Sequence, residues 1–182
     1  MTYSAATVTV IGVLSLVNTA LILGVLRRLR DLRWGSSPTV GGGAEAPPMT
    51  VRPGARVGEF AVTAVDGGTV SRADLAGPTL VAFLAPGCQA CDFSVPAFVE
   101  RAERAPGGRD HVLAVLMGSP RYGEELRERL APFARVLTEE EEGGPLARAF
   151  GVLGLPAFAL LSDGRMVASH PLPEELPEVA AA

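Results

Sequence analysis

The chain has 182 residues, a formal net charge of −4 and only two cysteines. This length suits one folded domain with additional segments. The net charge is negative, whereas nucleic-acid-binding proteins usually carry an excess of basic residues, so no nucleic-acid partner is expected.

An apolar segment at residues 7–26 follows a short N-terminal tail at 1–6 and contains no charged side chain. About 20 residues of helix cross the ~30 Å hydrocarbon core of a bilayer. A cleaved signal peptide would have a shorter apolar core with its cleavage site directly after it, and a buried core helix would not be apolar on every face. We therefore predict an uncleaved transmembrane anchor at 7–26 that binds the chain to the lipid bilayer.

Residues 27–56 begin as a basic juxtamembrane segment and continue as a Gly/Pro-rich stretch. Arg27, Arg28, Arg30 and Arg33 lie directly after the predicted anchor. The positive-inside rule on its own favours a cytoplasmic location for the chain that follows them. The remainder of the segment has no hydrophobic periodicity and is typical of a flexible linker.

The domain is predicted to start with a β-hairpin. Residues 60–65 and 69–70 are β-prone and are separated by an Asp-Gly-Gly turn at 66–68. Residues 71–75 predict a short helical turn. The apolar run at 79–84 then predicts a buried central strand.

The two cysteines, Cys88 and Cys91, follow this strand and a Pro-Gly turn, at the point where a helical pattern begins. A thiol at a helix N-terminus faces unpaired N–H groups and the positive end of the helix dipole, which lower its pKa. Cys88 is therefore predicted to be a nucleophile at neutral pH. Cys91, one helical turn later, is placed to close a disulfide with it.

Two structural alternatives apply to the same pair. A structural disulfide usually joins distant segments and closes a larger loop. A zinc site needs four ligands, and besides the two cysteines the chain offers only His111 and His170, without the spacing of a ligand pair. The position of the Cys-x-x-Cys pair between a strand and a helix favours a redox pair.

The rest of the domain alternates strands with helices, which predicts an α/β fold with a mixed sheet flanked by helices. An acidic run at 139–142 is predicted to be a solvated loop or first helical turn. The further predicted elements are a helix at 91–105, a strand at 111–117, a helix at 122–134, a strand at 135–138, a helix at 145–150, and two strands at 157–161 and 165–169 joined by a turn at 162–164.

Several motifs lie between residues 57 and 172. They are Val-Gly-Glu-Phe at 57–60, the Asp-Gly-Gly hairpin with Ala-Asp-Leu-Ala-Gly at 73–77, Phe-Leu-Ala-Pro-Gly-Cys-Gln-Ala-Cys at 83–91 with Pro96, Phe-Gly-Val-Leu-Gly-Leu-Pro at 150–156, and Asp-Gly-Arg at 163–165. Together they resemble the thioredoxin superfamily, and most of all its membrane-anchored disulfide reductase branch, the TlpA-like family. The anchor, the arginine-bearing segment and the active-site motif have a looser resemblance to the methylamine utilisation protein MauD.

The resemblance implies a thioredoxin-like domain at 57–172, preceded by one transmembrane helix and followed by a C-terminal tail at 173–182. It implies that Cys88 and Cys91 are the catalytic pair, without a further cofactor. Their disulfide would itself be the redox centre.

Three other residues are assigned to substrate binding by the same resemblance. The Leu155–Pro156 peptide bond is expected to be cis and to lie beside the cysteines, where the backbone of Leu155 pairs with a substrate strand. Gly87 stands directly before the first cysteine, where the family usually has an aromatic residue.

The activity implied is thiol–disulfide exchange on protein disulfides, with electrons from a membrane or soluble thiol donor. The catalytic domain is expected outside the cytoplasm, despite the arginines, because anchored members of the family serve oxidising compartments where substrate disulfides persist. The alternative is a non-catalytic thioredoxin-like module that binds a client protein or holds Cu(I) through its two sulfurs.

Overall fold

The computed structural model describes Ser15 and residues 49–119, 123–140 and 143–178. Apart from Ser15, these residues belong to one compact unit, Glu45–Ala182. The predicted anchor at 7–26 lies outside the described residues except for Ser15, which is helical and exposed. Within the described ranges, no helix has the length and apolarity needed to cross a membrane.

The compact unit contains a five-stranded mixed sheet in the order β5-β4-β3-β6-β7. Strands β3, β4 and β5 are parallel, and β6 and β7 run antiparallel to their neighbours. The strands are β1 (Ala61–Thr63), β2 (Thr69–Ser71), β3 (Pro78–Leu84), β4 (Val112–Met117), β5 (Arg135–Glu139), β6 (Ala157–Ser162) and β7 (Arg165–His170), and the helices are α1 (Gln89–Glu103), α2 (Glu124–Leu130) and α3 (Pro145–Phe150). The predicted mixed sheet with flanking helices is confirmed.

Strand β3 lies in the middle of the sheet, and its residues 79–84 are all buried. Phe83 belongs to a hydrophobic cluster on one face with Phe150 of α3, while Ala82 belongs to a cluster on the other face with Phe98 of α1. Successive side chains of a strand point to opposite faces, and both faces of this sheet are covered. The continuous apolar run of β3 follows from that double coverage.

The first hairpin is separate from the main sheet. Strands β1 and β2 pair antiparallel, as the sequence predicts. Their turn is closed by the N–H of Ala64, which donates to the carbonyl of Gly68 at 2.7 Å. Gly67 has φ +87°, a left-handed conformation that glycine adopts without steric cost.

Residues 49–56 differ from the flexible linker that the sequence predicts. The N–H of Val51 donates to the carbonyl of Phe150 at 2.8 Å, and the N–H of Gly54 donates to the carbonyl of Met166 at 2.7 Å. These partners are about a hundred residues away along the chain, so local composition does not reveal them. The folded domain therefore begins earlier than predicted.

Glu139 differs from the solvated position predicted for the acidic run. It is the last residue of β5 and only 5% exposed. Its carboxylate accepts the N–H groups of Leu146 and Ala147, both at 2.8 Å. The prediction is wrong for this residue because the folded chain supplies main-chain donors where composition indicates water.

The predicted tail at 173–182 packs against the domain over its first residues. Pro173–Glu175 forms a short 3-10 helix, and Leu176 is buried in the hydrophobic cluster that contains α1. Arg101 of α1 also donates to the carbonyl of Pro177. Residues 173–177 are thus held against α1.

Candidate active site

Cys88 occupies the N-cap position of helix α1, as the sequence predicts. Strand β3 brings the chain to this point, and a turn at Pro86 and Gly87 leads into the helix. The Cys88 sulfur accepts the N–H of Cys91 at 3.3 Å, and the Cys88 carbonyl accepts the N–H of Asp92 at 3.0 Å. A sulfur in this position receives one of the otherwise unpaired N–H groups of the first helical turn, which favours its thiolate form.

Cys91 forms a disulfide with Cys88, and their Cα atoms are 5.2 Å apart. The two sulfurs have unequal surroundings. Cys91 has no exposed surface and its sulfur accepts the N–H of Ala85 at 3.5 Å, whereas Cys88 is half-buried. An incoming disulfide therefore reaches Cys88 first.

This asymmetry predicts the order of alkylation in the reduced protein. At pH 7, iodoacetamide is expected to label Cys88 roughly tenfold or more faster than Cys91, because thiolate character and exposure control thiol reactivity. Mass spectrometry of quenched time points measures both rates on the same sample. Equal rates, or faster labelling of Cys91, would reverse the assignment of the nucleophile.

Gly87 lies in the turn before Cys88 with φ +73° and is exposed. An L-residue adopts that conformation at a cost of about 1–2 kcal/mol. The position that is usually aromatic in the resembled family is therefore occupied here by a residue that suits the turn. Any contact of Gly87 with a substrate is made by its backbone.

The Leu155–Pro156 peptide bond is cis, which confirms that prediction. Pro156 is buried directly before β6, and Leu155 packs against the same hydrophobic cluster as Cys88. The fold therefore brings the loop and the redox pair to one cluster. The role of Leu155 and Pro156 in substrate binding remains a prediction.

A groove of about 400 Å³ runs beside the active-site turn at Pro86. Val65 and Leu116 give it an apolar lining, and Glu124 and Arg127 form an ion pair at its side. The Arg127 guanidinium donates hydrogen bonds to the Glu124 carboxylate and holds the pKa of Glu124 below its ordinary value. The groove therefore presents both apolar and charged surface.

Both histidine rings make hydrogen bonds to main-chain groups. The His111 ring lies against the carbonyl of Pro78, with Nδ1 at 3.0 Å, and His170 Nδ1 accepts the N–H of Leu172 at 3.2 Å. Among the described residues, no group of three or more His, Cys, Asp or Glu side chains has an arrangement that suits a metal ion.

Two features near the site are missed by sequence analysis. The first is that Glu139 caps α3. The second is that the main-chain carbonyl of Met49 accepts, at 2.9 Å, the N–H of Leu153, which lies in the loop that leads to Pro156. A signal for the first feature is present in the sequence. Helix α3 starts with Pro145 after Gly144, so no N-cap side chain can accept its free N–H groups, which are left to water or to an acceptor from elsewhere in the chain.

No protein-family model matches the chain, and no curated protein matches it in sequence. Solved structures do match. A thiol:disulfide interchange protein from Bacteroides sp. is 15% identical, with 66% of this chain and 82% of that chain covered and a TM-score of 0.55. A thio-disulfide isomerase from Thermus thermophilus is 24% identical, with 66% and 86% covered and a TM-score of 0.51. A secreted Mycobacterium tuberculosis disulfide oxidoreductase homologous to E. coli DsbE is 16% identical, with 68% and 87% covered and a TM-score of 0.51.

The domain has a thioredoxin-like fold. At these identities the similarity establishes the fold, and all three solved proteins are named for disulfide chemistry. This chain has its own Cys-x-x-Cys pair, Cys88 and Cys91, at the start of α1.

Proposed function

We propose that this chain is a membrane-tethered thiol–disulfide oxidoreductase that reduces or exchanges disulfides in extracytoplasmic proteins. The observation that carries the proposal is the unequal setting of two paired sulfurs. Cys88 is half-buried at the helix N-cap, and Cys91 is fully buried behind it. Such a pair provides one accessible nucleophile and one protected resolving thiol, which disulfide exchange requires.

The reaction proceeds in two exchanges. The Cys88 thiolate attacks one sulfur of a client disulfide, forms a mixed disulfide and releases the other client sulfur as a thiolate. The Cys91 thiolate then attacks the Cys88 sulfur, which breaks the mixed disulfide, releases the second client thiol and forms the Cys88–Cys91 disulfide. The client gains two electrons and the pair loses two, so a thiol donor must reduce the pair before the next cycle.

The deciding experiment measures turnover and reduction potential with the purified chain. We expect it to reduce a disulfide-containing protein when a dithiol donor is supplied. Equilibration with glutathione gives the potential, and a value well below that of glutathione supports the reductant direction. Absence of exchange in both directions would reject the proposed activity.

Two large apolar side chains that lie close in sequence to the predicted site residues are exposed, and they support a protein client. Phe93 and Leu153 are 80% and 78% exposed, and each lies two residues from a predicted site residue, Cys91 and Leu155 respectively. Large side chains held in water at such positions gain apolar contact when a client chain covers them. They favour recognition of an apolar segment next to the client disulfide.

Replacing Phe93 by alanine is expected to raise the KM for a protein disulfide by about threefold to tenfold, since the contact is lost on binding. Steady-state kinetics with a protein disulfide measures the change. Val167→Ala is the control, because Val167 is also exposed and apolar but lies on β7. Equal effects of the two substitutions would contradict a binding role for Phe93.

The membrane anchor and the extracytoplasmic location are parts of the proposal that rest on the sequence. The apolar segment at 7–26 supports the anchor, and the family resemblance supports an exported domain against the arginines at 27, 28, 30 and 33. With a C-terminal tag, protease treatment of intact spheroplasts is expected to remove the tag. A tag that survives until the membrane is broken would place the domain in the cytoplasm.

The looser resemblance to MauD suggests the class of client. MauD is associated with the maturation of methylamine dehydrogenase, an enzyme with several disulfides. We propose that the clients of this chain include exported redox enzymes or cytochromes whose cysteines must be reduced or correctly paired during maturation. Clients trapped as mixed disulfides by a Cys91→Ser variant would identify them directly.

A further inference from the structure

Glu139 is a buried carboxylate to which the proposed exchange reaction assigns no role. It ends β5 at 5% exposure, and its main-chain carbonyl accepts the N–H of Gly118 at 2.8 Å. One carboxylate oxygen accepts the N–H of Leu146 and the other accepts the N–H of Ala147, each at 2.8 Å. Both oxygens are thus engaged by the first turn of α3.

The site around this carboxylate is closely fitted. Gly144, the N-cap residue of α3, has no side chain to accept these N–H groups. A Cβ atom at Gly144 would collide with the Glu139 carboxylate. A glycine at this position therefore leaves room for an acceptor from β5, and Glu139 replaces the missing helix cap.

Helix α3 connects the Glu139 carboxylate to the loop at 151–156. Ala147 donates its N–H to the Glu139 carboxylate, and its carbonyl accepts the N–H of Val152 at 2.9 Å. Three residues after Val152 the chain reaches Leu155, which packs against the same cluster as Cys88. Hydrogen bonds therefore connect Glu139, through Ala147, to the loop at 151–156.

We propose that Glu139 is a positioning residue that holds the Leu155–Pro156 loop in place for client binding. This inference rests on the proposed function, because it assigns that loop to the binding of a client chain. Glu139 does not contact either cysteine sulfur within the described hydrogen-bond network. Its loss acts on the binding of the client and leaves the reactivity of Cys88 unchanged.

The test compares Glu139→Gln with Glu140→Gln in the full chain. A carboxamide keeps one acceptor oxygen but turns an NH₂ group toward the second main-chain N–H, so one hydrogen bond is lost together with the charge. Glu140 is the next residue and is exposed, and the N–H groups of Leu146 and Ala147 bond to Glu139, so its substitution removes the same charge and leaves the cap of α3 in place. Both variants are measured at a temperature at which circular dichroism shows them folded.

Two measurements are made on each variant. The first is the KM and kcat for a protein disulfide, together with the rate of reaction with a small aromatic disulfide that needs no loop contact. The second is amide hydrogen exchange at Val152, compared with the amides of β3. The Val152 measurement reports on the loop without any dependence on activity.

For Glu139→Gln we expect a KM roughly tenfold higher with kcat little changed, an unchanged rate with the small disulfide, and roughly tenfold faster exchange at Val152. Glu140→Gln is expected to match the wild type in all of these. Unchanged exchange at Val152, or an equal acceleration in β3, would overturn the positioning role. If the wild type reduces no protein disulfide, the proposed function fails, and the exchange data alone still decide whether Glu139 holds the loop.

Discussion

Replacing Cys88 by serine is expected to abolish disulfide exchange, with a loss on the order of a thousandfold or more in turnover. A serine hydroxyl is not ionised at neutral pH, so the position at the N-cap of α1 no longer carries a nucleophile. The fold is expected to persist, because Cys88 lies at the edge of the hydrophobic cluster rather than within it. Reduction of a protein disulfide in the presence of a dithiol donor measures the loss.

Cys91→Ser provides the matched variant because it removes the other sulfur of the same pair. Cys88 is then still able to attack the client, but no second thiol resolves the mixed disulfide. We expect a covalent complex with the client that is visible on a non-reducing gel and disappears with reductant. If Cys88→Ser accumulated that complex and Cys91→Ser did not, the two roles would have to be exchanged.

The redox pair and its setting are predictable from sequence because they depend on neighbouring residues. The apolar run at 79–84, the turn at 86–87 and the cysteines follow one another along the chain, and the structure places them as β3, a turn and the start of α1. Helix α3 has the predicted bounds, Pro145–Phe150, since a proline starts it and Gly151, with φ +60°, ends it.

The contacts made by Glu139 and by residues 49–56 are harder to predict from sequence, because they join parts of the chain that are distant from each other. Glu139 belongs to an acidic run that composition assigns to water, and only the return of α3 gives its carboxylate two main-chain donors. Residues 49–56 have the composition of a linker, yet Val51 bonds to Phe150 across the folded domain. A local pattern such as Gly144-Pro145 indicates that a cap is missing, but it does not identify the distant residue that supplies one.

These distant contacts meet at the loop before β6. Helix α3 is held at its start by Glu139 and at its end by the Val51 N–H, and Leu153 donates to the carbonyl of Met49. Met49 and Val51 therefore support the loop to which the proposed function assigns client binding.

Phe150→Ala is expected to destabilise the domain by about 3–5 kcal/mol, the usual cost of removing a buried aromatic side chain. Phe150 has no exposed surface, and its ring centroid lies 5.1 Å from that of Phe83 on β3 and 5.6 Å from that of Phe60. Its loss leaves a cavity between α3 and the sheet that neighbouring side chains fill only in part. Denaturant unfolding of the oxidised protein measures the change in the free energy of unfolding. Phe93→Ala is the control, because Phe93 is 80% exposed. Its removal is expected to change the free energy of unfolding by less than about 0.5 kcal/mol. Similar losses in the two variants would contradict the packing of α3 on β3, and with it the route by which Glu139 is proposed to support the Leu155–Pro156 loop.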